Sequence, residues 1–220
     1  MTDDGHTTID DEQIEFDSSV LIEHKEELDK MFRMYIEGIN PFMVRFETAK
    51  TEFPIEIQNE IRAIYGHLAR AAMSKDKEHA AKNIEKMHSH SKRALRDCYK
   101  YNSIVLSDRY DDFMDRYAGV DLTYLENGDF LKRVVGRCNE ARKKLQDAKI
   151  KETTNLSEDQ KYEAYEEAYK AFELLNFDLE NAENSASYLK HKATRKDKMA
   201  GVSFAVGIVG VIVGILGIFF

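Results

Sequence analysis

The histidines and cysteines are the first residues to consider for chemistry, because they bind metals and act in catalysis. His79, His88 and His90 fall within one basic stretch. On a helix, side chains two residues apart point about 200° apart, so His88 and His90 do not converge on one ion. We therefore expect solvated helix residues and predict neither a metal nor a cofactor. Cys98 and Cys138 lie among apolar neighbours, as is typical of core thiols in a reducing compartment.

Motifs that carry enzymatic chemistry are missing from the sequence. It contains no GxSxG nucleophile turn, no HExxH zinc motif and no GxxxxGK[ST] phosphate loop, and the part before residue 199 has no GxGxxG. We predict no catalytic residues and no enzymatic activity.

Basic side chains are concentrated in two stretches of a chain whose net charge is −8. Residues 75–100 hold eight Lys or Arg against four acids, and residues 132–151 carry a net charge of +6. The candidate polyanion-binding residues are Arg133, Arg137, Lys144, Arg93 and Arg96. Tyrosine rings can stack on bases, and four tyrosines lie near these basic stretches in the sequence: Tyr99, Tyr101, Tyr117 and Tyr124. This combination favours a nucleotide or single-stranded oligonucleotide ligand. The alternative is a solvated basic face that balances acidic neighbours.

The last 22 residues, 199–220, contain no charged or amide side chain. As a helix they measure about 33 Å, against about 30 Å for the hydrocarbon core of a bilayer. Residues 190–198 before them have a net charge of +4, which leaves −12 for residues 1–189. Positive flanks stay on the cytoplasmic side, and no signal peptide is evident at the start. We expect a transmembrane helix and a tail-anchored protein with its N-terminal domain in the cytoplasm.

A regular spacing of three and four residues links the apolar segment to the region before it. The series runs through Tyr165, Ala168, Phe172, Leu175, Leu179, Ala182, Ala186, Leu189, Ala193 and Lys196. It continues through what we call the glycine seam: Ala200, Ser203, Gly207, Gly210, Gly214 and Gly217. A sustained period of 3.5 residues indicates a left-handed supercoil, and small residues allow close helix approach in lipid. We predict a parallel homo-oligomer. The alternative is that the first half of the series packs inside its own domain.

The remaining pattern predicts an all-α fold, a helical cytoplasmic bundle or coiled coil that continues into one transmembrane helix. Glycine is scarce before residue 200, and the chain contains only two prolines. We divide it into an acidic disordered tail at 1–17, a helical domain at 18–156, a connecting helix at 157–198 and the span at 199–220. The first helix is expected to end at Gly38, and Ser74 is expected to cap a later one. Ser157 and Gln160 form a capping box that opens the last helix.

These features resemble the channel effector of Hailong-type anti-phage defence systems. The likeness lies in the helix from Tyr165 to Phe220 and in the basic helices, with no diagnostic motif matched residue by residue. The resemblance implies a channel in the bacterial inner membrane, held shut by short DNA oligomers from a partner nucleotidyltransferase. The span has no polar lining, so a pore would be a narrow apolar or glycine-lined path. The competing functions are a non-conducting coiled-coil membrane tether or adaptor, and a membrane-recruited nucleic-acid-binding module.

Overall fold

A computed structural model describes the backbone of residues 18–219 and the side chains of residues 18–195. Every regular element in that part of the chain is helical, which confirms the all-α class. The α-helices are α1 (Ser18–Glu23), α2 (Lys25–Arg33), α3 (Asn40–Lys50), α4 (Ile55–Ala72), α5 (Lys77–Arg116), α6 (Asp129–Glu152) and α7 (Glu158–Phe219). A π-helical segment (Met34–Ile39) joins α2 to α3, and a 3₁₀ segment (Leu122–Gly128) precedes α6. The predicted disordered tail lies outside the described residues.

The helical run that begins at Ser18 does not end at Gly38, so that prediction is wrong. Pro41 has no N–H to donate to the carbonyl four residues earlier, and the π-helical segment shifts the pattern so that Asn40 N–H donates to Tyr35 O. Gly38 instead permits close packing on α5. A Cβ atom there would lie 3.0 Å from Leu95 Cδ1.

The first of two compact units comprises residues 18–102 and 151–166. One of its apolar clusters joins α1, α2, α4 and α5 through Val20, Leu28, Met31, Ala71, Ala80, Ile84 and Met87. A second cluster contains Ile39, Ile57, Ala94, Leu95 and Cys98. Cys98 is fully buried, as predicted. Burial raises the pKa of its thiol, which keeps it protonated.

Helix α5 begins with a cap that differs from the predicted one. Asp76 Oδ1 accepts the backbone N–H of Glu78 at 2.9 Å, so Asp76 is the N-cap. Ser74 Oγ accepts the N–H of Asp76 at 3.2 Å and therefore shapes the turn before the helix. The position of the helix is as the sequence predicts, but the capping residue is not.

The second compact unit comprises residues 103–150 and 167–219 and contains the later part of α5, most of α6 and most of α7. One face of α6 is buried, at Val134, Cys138, Ala141, Leu145 and Ala148, with the spacing of three and four residues that is typical of an amphipathic helix. Val135, next to this face, is 38% exposed. The ring centroids of Phe113 on α5 and Phe130 on α6 are 6.0 Å apart.

The capping box that opens α7 is confirmed. The backbone N–H of Gln160 donates to Ser157 Oγ at 3.3 Å, and the backbone N–H of Ser157 donates to Gln160 Oε1 at 3.1 Å. The predicted boundary at Ser157 thus coincides with the start of the longest helix.

Candidate functional site

The first half of the 3.5-residue series on α7 is buried within its own chain. In the second unit Phe172, Leu175 and Ala186 have no exposed surface, and Leu179 and Ala182 are also buried. In the first unit, Tyr165 is fully buried, and its hydroxyl donates to Glu152 Oε2 at 2.6 Å. The structure therefore favours the alternative in which this half of the series packs inside its own domain.

The residues of the series become more exposed where α7 passes the C-terminal end of α5. Lys190 Nζ donates to the carbonyl of Arg116 at 2.6 Å, and it lies 5.8 Å from the ring centroid of Tyr117. Tyr117 Oη donates to Glu183 Oε1 at 2.8 Å. Leu189, the next residue in the series, is only half-buried. Among the described residues, α7 thus loses its intramolecular cover near Leu189.

Two of the predicted basic residues are brought together on a buried carboxylate. Arg133 and Arg137 on α6 both contact Asp178 Oδ2 on α7, with Nε at 3.3 Å and Nη1 at 2.8 Å respectively. Arg133 also makes two hydrogen bonds to Glu126, at 2.7 and 3.0 Å. We call Glu126, Arg133, Arg137 and Asp178 the charge cluster. It connects α6, the 3₁₀ segment and α7 through charge-assisted hydrogen bonds.

The electrostatics of the charge cluster follow from these bonds. The hydrogen bond from Arg133 lowers the pKa of the exposed Glu126 carboxyl, and the same bond contributes most to raising the pKa of Arg133. Arg137 Nη1 additionally donates to the carbonyl of Leu174 at 3.0 Å. The two arginines are about one-third exposed, so they retain access to solvent while they bind α7.

Asp178 was not identified from the sequence, although a signal for it exists. It lies three residues after Leu175 and four before Ala182, so it occupies the buried side of α7. A single acid at such a position requires basic partners from another element, and α6 carries the excess of basic residues. The partners themselves depend on tertiary packing and cannot be read from either helix alone.

Lys144 lies farther along α6 and pairs with Glu140 at 3.4 Å, one turn before it. The exposed lysines of this helix that form no ion pair among the described residues are Lys132, Lys143, Lys149 and Lys151. A basic surface therefore remains on α6 beside the charge cluster.

The other two predicted basic residues belong to the first unit. Arg93 Nε lies 3.2 Å from Glu60 Oε2. Arg96 contacts Glu158 at 2.8 Å and Asp97 at 3.2 Å. Burial alone would lower the pKa of Arg96, but the neighbouring carboxylates outweigh it and the pKa is raised. Both arginines thus have carboxylate partners inside the first unit.

The histidines are less solvated than expected. Of the three histidines in the basic stretch, His88 and His90 are half-buried and His79 is exposed. His90 Nδ1 lies 2.6 Å from Glu60 Oε2, and its ring stacks on His67 with centroids 5.1 Å apart. Burial lowers the pKa of His88. Within the described part of the chain, no group of three or more His, Cys, Asp or Glu residues is placed to hold a metal ion.

Two clefts open along α7 in the second unit. The smaller, about 430 Å³, lies between α5 and α7 and is lined by charged residues, among them Arg109, Arg116 and Glu180. The larger, about 720 Å³, lies beside the charge cluster. It is lined by the apolar and aromatic side chains of Tyr124, Leu125, Phe130, Phe177, Tyr188 and Leu189, together with polar residues. Its volume is in the range of small-molecule sites.

Among the residues whose side chains the structure describes, no helix is long and apolar enough to cross a membrane. The predicted transmembrane segment at 199–220 and all six residues of the glycine seam lie outside the residues with described side chains. The backbone of α7 is helical up to Phe219.

Comparisons with protein-family models, with curated proteins and with solved structures gave no match for this chain.

Proposed function

We propose that this chain is a homo-oligomeric, tail-anchored membrane effector of anti-phage defence that forms a ligand-gated ion channel or disrupts the membrane. The observation that carries the proposal is the single helix α7, which buries one face in the second unit between Phe172 and Ala186 and runs on to Phe219. An unbroken helix transmits displacement or rotation along its axis, because its backbone hydrogen bonds hold it as one element. A change in the helical unit would therefore reach the apolar segment.

The burial pattern supports a change of partner along this helix. Up to Ala186 the 3.5-residue series packs against helices of its own chain. From Leu189 onward that cover weakens, and the sequence continues into the glycine seam. Small residues in a span permit close contact between helices of separate copies. The proposed oligomer thus forms through the later half of the series, with the earlier half committed to the monomer.

Replacing Gly210 with cysteine is expected to give a disulfide-linked dimer when membranes that contain the full-length protein are oxidised. Ile212→Cys is the matched control, because two residues farther along a helix the side chain points about 200° away. The measurement is non-reducing electrophoresis of the membrane fraction. Equal dimer yields from the two variants, or none from either, would count against contact through the glycine seam.

Ligand control is proposed to act through the basic surface of α6. Arg137 and Lys144 lie two turns apart on that helix, and exposed lysines flank them. Because Arg137 also binds Asp178 of α7, a polyanion that drew this arginine away would alter the contact between α6 and α7. The proposed ligand is a nucleotide or a short single-stranded oligonucleotide, and a nucleotidyltransferase partner would supply it.

We expect a labelled 12-nucleotide single strand to bind the full-length protein in detergent at low salt. Each phosphate contact contributes a slope of about −0.7 in log K against log salt. Arg137→Gln with Lys144→Gln should therefore reduce the magnitude of the slope by about 1.4, whereas the control Lys170→Gln should not. The measurement is fluorescence anisotropy over a salt series. An unchanged slope in the double variant, or no binding at all, would reject this ligand site.

A non-conducting tether or adaptor is the second candidate. One observation supports it: each of the five predicted basic residues has a carboxylate partner within the chain, so their charges are balanced without a bound polyanion. The apolar character of the span also fits simple anchoring. Membrane-potential measurements distinguish the two candidates.

A further inference from the structure

Helix α7 carries a second stripe of regularly spaced residues, and this one is exposed. Its members, which we call the outer stripe, are Leu174, Phe177, Asn181, Asn184 and Tyr188. Leu174 is 56% exposed, Phe177 61% and Tyr188 67%. Large apolar side chains at this exposure, aligned on one helix face, are typical of interaction surfaces. The buried core does not use this face, and the charge cluster meets only its edge, where Arg137 donates to the backbone carbonyl of Leu174.

The spacing of the outer stripe is three, four, three and four residues, the repeat of a coiled coil. Apolar residues occupy its ends, and the two asparagines occupy its middle. In parallel coiled coils, an asparagine in the seam fixes the register and the number of strands at some cost in stability. The stripe therefore has the composition of a short, register-specific helix pair.

The absence of charged residues from the outer stripe favours a second copy of the same helix as its partner. All five residues of the outer stripe are uncharged, although one-third of all residues in the chain are charged. In a symmetric parallel pair, each residue on the axis lies opposite its own counterpart, so a charge there would face an identical charge. The absence of charge from the stripe meets this requirement of self-association.

The larger cleft lies along the same face. Phe177, Asn181, Asn184 and Tyr188 of the outer stripe line it, and Tyr124 of the 3₁₀ segment, which is 75% exposed, forms part of its wall. A cleft of about 720 Å³ beside a helix stripe has room for side chains of a neighbouring helix. Packing there would cover aromatic surface that the single chain leaves in water.

We propose that the outer stripe is the docking surface for α7 of a second copy of this chain, in parallel orientation. The inference rests on the proposed function, in which all copies insert into the membrane in the same direction and so present this face at the same height. It adds a contact outside the membrane, separate from the glycine seam. Each copy would bury the stripe against its counterpart, and the paired asparagines would set the register.

Oxidation of membranes that contain full-length Asn181→Cys is expected to give a disulfide-linked dimer. Glu180→Cys is the matched control, because it lies at the same height on α7 but about 100° around the helix axis. The native cysteines are buried and should not react, so the wild-type chain gives the background. Dimer yield at position 181 should exceed that at position 180 by at least about fivefold, since a change of about 100° moves the thiol off the axis of a helix pair.

Gly210→Cys in the same experiment separates this inference from the proposed function. A dimer through Gly210 without one through Asn181 would overturn docking at the outer stripe and leave the oligomer through the glycine seam standing. Dimers through both support both contacts. A dimer through Asn181 alone supports the outer stripe and counts against the glycine seam. No dimer at either position, with the protein in the membrane fraction, would overturn both.

A charge substitution provides a second test that needs no new thiol. Phe177→Glu with Tyr188→Glu places like charges opposite each other in the paired state, and both positions are exposed in the single chain. Because the glycine seam remains, the expected result is a weaker oligomer: on native electrophoresis it dissociates to smaller species at a protein concentration at which the wild-type oligomer persists, with the helix content by circular dichroism unchanged. An oligomer that resists dilution as well as the wild type would contradict the proposal.

Discussion

Leu175→Ala is expected to lower the free energy of unfolding by about 2–5 kcal/mol, whereas Leu174→Ala should change it by about 0.5 kcal/mol or less. The two leucines are adjacent on α7, but Leu175 has no exposed surface and Leu174 is 56% exposed. Truncating a buried leucine removes apolar contacts and leaves a cavity, while truncating an exposed one does neither. The pair therefore tests which face of α7 belongs to the core of its own chain.

The measurement is denaturant unfolding of each full-length variant in detergent, followed by circular dichroism at low protein concentration. Low concentration keeps the contribution of copy-to-copy contacts small, which matters because Leu174 belongs to the outer stripe. Similar losses for the two variants would contradict the assignment of Leu175 to the monomer core.

Gly210→Leu combined with Gly214→Leu is expected to abolish the effect of the protein on the membrane. Leucine at a close helix contact forces the helices apart, and overpacking of this kind costs about 1–3 kcal/mol at each position. A change of about 1.4 kcal/mol alters an equilibrium tenfold. Two such positions per helix should therefore reduce association by more than tenfold.

Val209→Leu combined with Val213→Leu is the matched control, since it adds bulk to the span away from the glycine seam. Dye-reported membrane potential after induction should be normal for the glycine variant and reduced for the valine variant. If both variants depolarise the membrane like the wild-type chain, close packing through the glycines is not required.

Local sequence patterns predict much of the fold. The buried stripe of α6 and the capping box at Ser157 and Gln160 depend on residues within one or two turns, so the sequence is sufficient to place them. The continuation of the first helical run past Gly38 could not be predicted in the same way. It involves the π-helical segment before Pro41 and the close packing of Gly38 against Leu95, a residue that belongs to another helix.

The candidate site was only partly predictable for a related reason. The excess of basic residues on α6 is visible in the sequence, but the partners of Arg133 and Arg137 include Asp178, more than forty residues away along the chain. The 3.5-residue series also could not reveal where its burial against the rest of the same chain ends. Periodicity identifies an apolar face, and only the surrounding helices determine what covers it.

The outer stripe could be recognised only once the fold was known. Its spacing was present in the sequence, yet the buried series on the same helix is longer and more apolar and masks it. Exposure in the folded unit distinguishes the two, because Phe172 is fully buried while Phe177 is 61% exposed.

Membrane potential in bacteria that express the full-length chain tests the central claim most directly. Expression of residues 1–198 alone is the control, because it lacks the apolar segment. We predict that the full-length chain depolarises the inner membrane within minutes of induction and that the truncated chain does not. A normal potential, with the full-length protein present in the membrane fraction and with no oligonucleotide-producing partner in the cell, would contradict a conducting effector and leave the membrane tether.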